Sequence, residues 1–96
     1  MASFSWDPAK NEKLIRERGV SFEAILGAIQ AGGLLDILEH PNPRKYPGQR
    51  ILVVQAYDYV FLVPFEEKEG AVRLITLIPS RKATQRYLKR GGENEG

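Results

Sequence analysis

The sequence predicts an α+β domain in which two N-terminal helices pack on a four-stranded, mainly antiparallel sheet and a C-terminal helix follows. Three observations predict it. Apolar residues early in the chain recur at helical spacing behind capping residues. Runs rich in β-branched and aromatic residues then fill 51–57, 59–65 and 71–80, joined by hairpin-length connections that require antiparallel pairing. A serine after Pro79 opens a closing segment with five cations and no acid.

The first helix is read from Asp7 as N-cap, Pro8 at the first helical position and Gly19 as stop. Only Leu14 and Ile15 are strongly apolar inside it, so its buried stripe is thin, and Phe4 and Trp6 are expected to anchor it. Ser21 caps the second helix. There Phe22, Ile25, Leu26 and Ile29 stand at i, i+3, i+4 and i+7, one buried face. Gly32 and Gly33 end it. A short strand is expected at 34–38, then a loop with three prolines. Asp58 marks a tight hairpin turn without glycine. Pro64 lacks an N–H, which predicts an edge or a bulge there. Ser80 caps a last helix over about 81–90. The strands are apolar on both faces, so both are expected to be partly covered, one by the two N-terminal helices, with the C-terminal helix over an end or the other face.

Ninety-six residues leave room for one core, and the whole chain, 1–96, reads as a single domain. The chain has no cysteine, which excludes a disulfide framework and a thiolate zinc site. No apolar run approaches the ~18 residues that span a membrane, and the start lacks a signal-peptide core. These features lead to the expectation of a cytoplasmic protein with no membrane partner.

Charge is unevenly spread. The net charge is +2, yet residues 40–50 and 81–90 hold 8 of the 14 Lys and Arg and no acid. The rest of the chain keeps 6 basic against 12 acidic residues, a balance of −6. If the two basic segments meet, one positive face results, suited to a polyanion. Arg44, Lys45, Tyr46 and Arg50 offer backbone contacts and one ring for base stacking. Arg86 extends the basic surface, together with Lys89 and Arg90. Arg81, at the start of a capped helix, suits phosphate as a bidentate fork, with Lys82 beside it. His40 is the only side chain whose ordinary pKa lies near neutrality. Tyr87 is turned away from Arg81 and reads as a packing residue. Glu66, Glu67 and Glu69 read as solubilising charge, and no metal or cofactor site is expected.

Phe4, Trp6, Asp7 and Lys10, with Gly19 to Glu23, and Ile78, Arg81, Lys82, Ala83 and Thr84 form two motifs, "F-x-W-D-x-x-K…G-V-S-F-E" and "I-x-x-R-K-A-T". In these the chain resembles the BrnT family of bacterial toxins. The resemblance implies a RelE-like fold and a metal-independent endoribonuclease of a type II toxin–antitoxin pair. It implies a partner antitoxin, commonly with a ribbon-helix-helix domain, and RNA as substrate. The expected catalytic set is Arg81, Lys82, His40 and Arg50, with Arg44, Lys45, Tyr46 and Arg86 binding RNA. The chain departs from the family pattern in carrying a proline-rich loop after His40, and Thr76 where an arginine is usual. The alternative is a catalytically weak or inactive toxin-like module that binds RNA or an antitoxin.

Overall fold

The computed structural model describes residues 3–88. Lys89 and Arg90, expected in the last helical turn, lie outside the described residues. The class is α+β: three helices and a mixed sheet of six strands. No helix among the described residues is long and apolar enough to cross a membrane.

The chain opens with a strand the sequence did not announce, β1 (Ser3–Ser5). Three residues carry too little pattern to be read as a strand. The helix α1 (Pro8–Arg18) follows. Its cap is as expected: Asp7 accepts the Ala9 N–H at 3.0 Å. Gly19, at φ +71°, closes it in the left-handed region that glycine enters freely. The stripe is thinner than expected, because Leu14 is buried and Ile15 is exposed.

In α2 (Phe22–Ala28), Ser21 Oγ accepts the Ala24 N–H at 3.0 Å, and Phe22 and Ile25 are fully buried. Asn11 locks the two helices together. Its Oδ1 accepts the Phe22 N–H at 2.8 Å and its Nδ2 donates to Glu23 at 2.7 Å. The buried amide thus satisfies one of the orphan donors of α2. Trp6 stacks on Phe22 with ring centroids 5.5 Å apart. A π-helical turn, Ile29–Gly33, leads into the sheet. A Cβ at Gly33 would lie 2.6 Å from the carbonyl oxygen of Gln55, so only glycine permits this approach of backbone to sheet.

The strand β2 (Leu34–Glu39) pairs antiparallel with β3 (Gln49–Ala56), which pairs antiparallel with β4 (Tyr59–Lys68). Tyr57 and Asp58 turn the second hairpin with φ of 57° and 59°. Positive φ at both positions is the requirement of a type I′ turn, here met without glycine. β5 (Ala71–Leu74) and β6 (Ile78–Pro79) both pair antiparallel with β4, and β5 also pairs parallel with β1. The order is β1-β5-β4-β3-β2.

The expected four strands are therefore six. Besides β1, the expected run over 71–80 is split in two by residues 75–77. Pro64 is the physical reason. Its carbonyl accepts the Ile75 N–H at 2.9 Å, so the polar groups of position 64 point toward the β5 side. A proline has no N–H to give there, and the neighbouring chain leaves the ladder where the donor is missing. Strand β4 itself does not end at Pro64.

The core lies on both faces of the sheet. Phe22, Ile25, Leu52, Val54, Phe61, Val63, Phe65, Leu74 and Leu77 fill the side under α1 and α2. On the other side Val53 and Val60 meet Ala83 of α3 (Arg81–Tyr87), with Tyr87 and Leu88 packed against them. Alternation along β3 and β4 divides these two sets.

Candidate nucleic-acid interface

The short helix α3 is held by few but specific contacts. Ser80 Oγ accepts the Ala83 N–H at 3.0 Å. Thr84, buried, accepts the Val60 N–H at 2.8 Å and donates to the Ser80 carbonyl at 2.7 Å. Tyr87 donates its hydroxyl to Asp36 Oδ2 at 2.9 Å, tying the helix to β2. Two of the motif residues, Ala83 and Thr84, are thus docking residues. The apolar side of α3 goes to the sheet, which leaves Arg81, Lys82 and Arg86 exposed.

Lys82 and Arg86 border a groove whose floor is Leu38, Leu62 and Ala83, with Tyr87 at one side. Its volume is about 170 Å³. Small-molecule sites run roughly 300–1,000 Å³, so this groove suits one flat group or one side chain. Leu38 stands two residues before His40. An extended chain covers that step in ~6.7 Å, so the prolyl loop begins within about that distance of a residue on the groove floor.

That loop is ordered by its own side chains. His40 Nδ1 accepts the Asn42 N–H at 3.0 Å, and Asn42 Oδ1 accepts the Lys45 N–H at 3.2 Å. The His40 and Tyr46 rings lie 4.4 Å apart, and Lys45 Nζ sits 5.5 Å from the centre of the Tyr46 ring. Tyr46 is therefore partly used within the loop, while Arg44 and Lys45 are exposed. With Nδ1 accepting, the neutral imidazole carries its proton on Nε2 and offers a donor there, not a base.

Arg50 is not part of this arrangement. It pairs across the ladder with Phe65, on the face covered by α1 and α2. Its guanidinium bonds Glu67 at 2.7 Å and lies 5.2 Å from the Phe65 ring centre. The expected grouping of Arg50 with Arg81 and Lys82 is corrected: the sheet separates them, because position 50 falls on the other side of the pleat. Of the expected acidic trio, Glu67 serves Arg50, and Glu66 lies on the next pleat beside Gln49 at 3.5 Å.

The Arg50–Glu67 contact is the sole salt bridge among the described residues. Arg44, Lys45, Arg81, Lys82 and Arg86 have no carboxylate within 4.0 Å among those residues. Two residues that shape this face had been given no structural role from the sequence, Thr84 and Asp36. Thr84 carried a signal in its position four residues after the capping serine, where a hydroxyl can reach the Ser80 carbonyl. Asp36, in a run of apolar residues, carried none. Compared with known proteins, the chain matches no family model and no curated protein.

Proposed function

We propose that this chain is a BrnT-like toxin with a RelE-like fold, acting on RNA through the face built by α3 and the loop after His40. The observation that carries the reading is the set of uncompensated cations. Lys82 and Arg86 border the groove beside α3, and Arg81 on the helix and Arg44 and Lys45 on the loop are exposed, none of the five with a carboxylate within 4.0 Å among the described residues. Cations left unpaired and exposed on a body otherwise rich in acid attract a phosphate backbone and release its counterions.

The reaction implied is transesterification. The 2′-OH loses its proton and attacks the adjacent phosphorus, the P–O5′ bond breaks, and the leaving oxygen takes a proton. The products are a 2′,3′-cyclic phosphate and a 5′-OH end. Arg81 and Lys82 supply charge to the crowded phosphate of the transition state. In the arrangement described, His40 can donate from Nε2. To act as the base it must release the Asn42 N–H. This favours a second reading, an RNA-binding module with little or no turnover.

The test is incubation of purified protein with RNA, with and without a chelator, followed by end-group analysis. Cyclic-phosphate ends that persist with chelator support the nuclease reading. Arg81→Ala and Lys82→Ala then each lower kcat/KM by about 10²-fold, roughly 2.7 kcal/mol. Full activity in both variants would remove this face as the site. Salt-sensitive RNA binding without cleavage would establish the second reading.

A further inference from the structure

The strand β2 forms an edge of the sheet, and all six of its residues are exposed. Four of the seven large apolar side chains exposed among the described residues are on it: Leu34, Leu35, Ile37 and Leu38. They are not confined to one side. Leu38 floors the groove beside α3, while Leu34 and Ile37 line a second groove of about 270 Å³ with Leu52, Phe65 and Phe4. A strand apolar on both faces belongs inside a sheet, yet this one has a neighbour on one side only. Residues 89–96 contain no apolar side chain with which to cover it.

The free edge is guarded at one point. Ile37 gives its N–H to Asp36 Oδ1 at 2.8 Å and not to β3. Alternate residues of an edge strand point their amides outward, which puts Ile37 and, two residues on, Glu39 in the outward set. Asp36 thus occupies a donor that an added strand would use. Its second oxygen holds Tyr87, so Asp36 is itself fixed by α3.

We propose that β2 is a docking strand, and that its occupant is a partner polypeptide segment that alternates apolar and basic residues and adds to the sheet edge. Charge decides between this occupant and a second copy of the chain. β2 carries Asp36 and Glu39 and no cation. Arg50 stands across from Glu39 but is spent on Glu67. Two copies paired edge to edge would bring four carboxylates into one ribbon with no cation on either strand. A basic, apolar strand meets the same edge with opposite charge: its two kinds of side chain lie on opposite faces, so the basic ones come beside Glu39 while the apolar ones cover Leu38. Nothing in this assignment depends on RNA cleavage.

The experiment uses the full chain and two eight-residue peptides, one alternating valine with lysine and one alternating valine with glutamate. Binding is followed by fluorescence anisotropy and by amide hydrogen exchange. The lysine peptide is expected to bind at least 10-fold more tightly than the glutamate peptide and to slow exchange at Ile37 and Glu39. Glu39→Lys is expected to reverse that preference, and Leu35→Lys to weaken the lysine peptide at least 5-fold. Leu35 is not among the residues that line the groove beside α3, and RNA binding and cleavage are measured on Leu35→Lys as a separate readout. That separates failure of this assignment from failure of the RNA reading. Binding without protection of the β2 amides would overturn the proposal. A dimer in sedimentation that Leu35→Lys dissolves would overturn it as well, in favour of a second copy.

Discussion

Phe22 and Ile25 on α2 and Leu34, Leu35, Ile37 and Leu38 on β2 are the same class of side chain with opposite fates. The first two are fully buried, and the last four are at least 36% exposed. They are close neighbours in the chain, joined by a π-helical turn and the close-packed Gly33. The contrast comes from position. α2 lies over the centre of the sheet and finds strands on the opposing side. β2 lies at the edge, past the reach of α1 and α2 and only grazed by α3. Apolar residues at the centre stabilise the chain itself. Apolar residues at the edge are available to something else.

The largest effect expected from this contrast is in stability. Phe22→Ala should cost about 3–5 kcal/mol in denaturant unfolding, while Ile37→Ala stays within about 0.5 kcal/mol. Comparable losses at the two positions would mean that the edge is part of the core after all, and the contrast would be gone. Next is the attachment of α3. Thr84→Val removes the acceptor of a buried N–H on Val60, a cost of about 1–3 kcal/mol. Hydrogen exchange should then speed up in α3 far more than in α2; equal acceleration would show that the two faces unfold as one.

A smaller change concerns the hairpin tip, which belongs to neither region. Tyr57 is 68% exposed and held at positive φ, where a bulky residue is strained. Tyr57→Asn should raise stability by about 1 kcal/mol, measured by thermal and denaturant midpoints. A decrease would reveal that the ring is held by contacts worth more than the strain. The smallest effect is a pH dependence at the start of α2, at the exposed Glu23. The Asn11 amide, then a backbone N–H, hold the Glu23 carboxyl below its ordinary value. Its folded pKa is thus lower than its unfolded one. The contribution is fully present above the unfolded value and fades as pH falls through the folded one. Glu23→Gln should make the acid limb of a stability–pH curve shallower, and an unchanged limb would exclude this contact as its source.

Much of the fold was legible locally. Asp7, Ser21 and Ser80 cap three helices because a side-chain oxygen beside an orphan N–H acts within three residues. The long strands were legible through their β-branched runs, and Pro64 announced an irregular ladder. The irregularity fell on the neighbouring strand, because a missing N–H is felt by the chain that should have accepted it. The candidate interface was legible only in part. Arg81, Lys82, Arg86, Arg44 and Lys45 stand exposed as their charge suggested. Arg50 does not join them, since one step along a strand reverses the face. Asp36 and Asn11 were invisible, because their partners lie 51 and 11 or 12 residues away.

The sequence by itself determined the helix starts, the strand-forming runs, the absence of disulfides and the gathering of cations into two segments. These depend on interactions between residues a few positions apart, which any chain of this composition would make. Only the tertiary structure decided which strand stands at the edge, which side of the pleat takes Arg50 and Leu38, and that a three-residue opening strand pairs with β5. Those outcomes follow from the order of strands in the sheet, and that order is settled by contacts between distant residues competing for the same core.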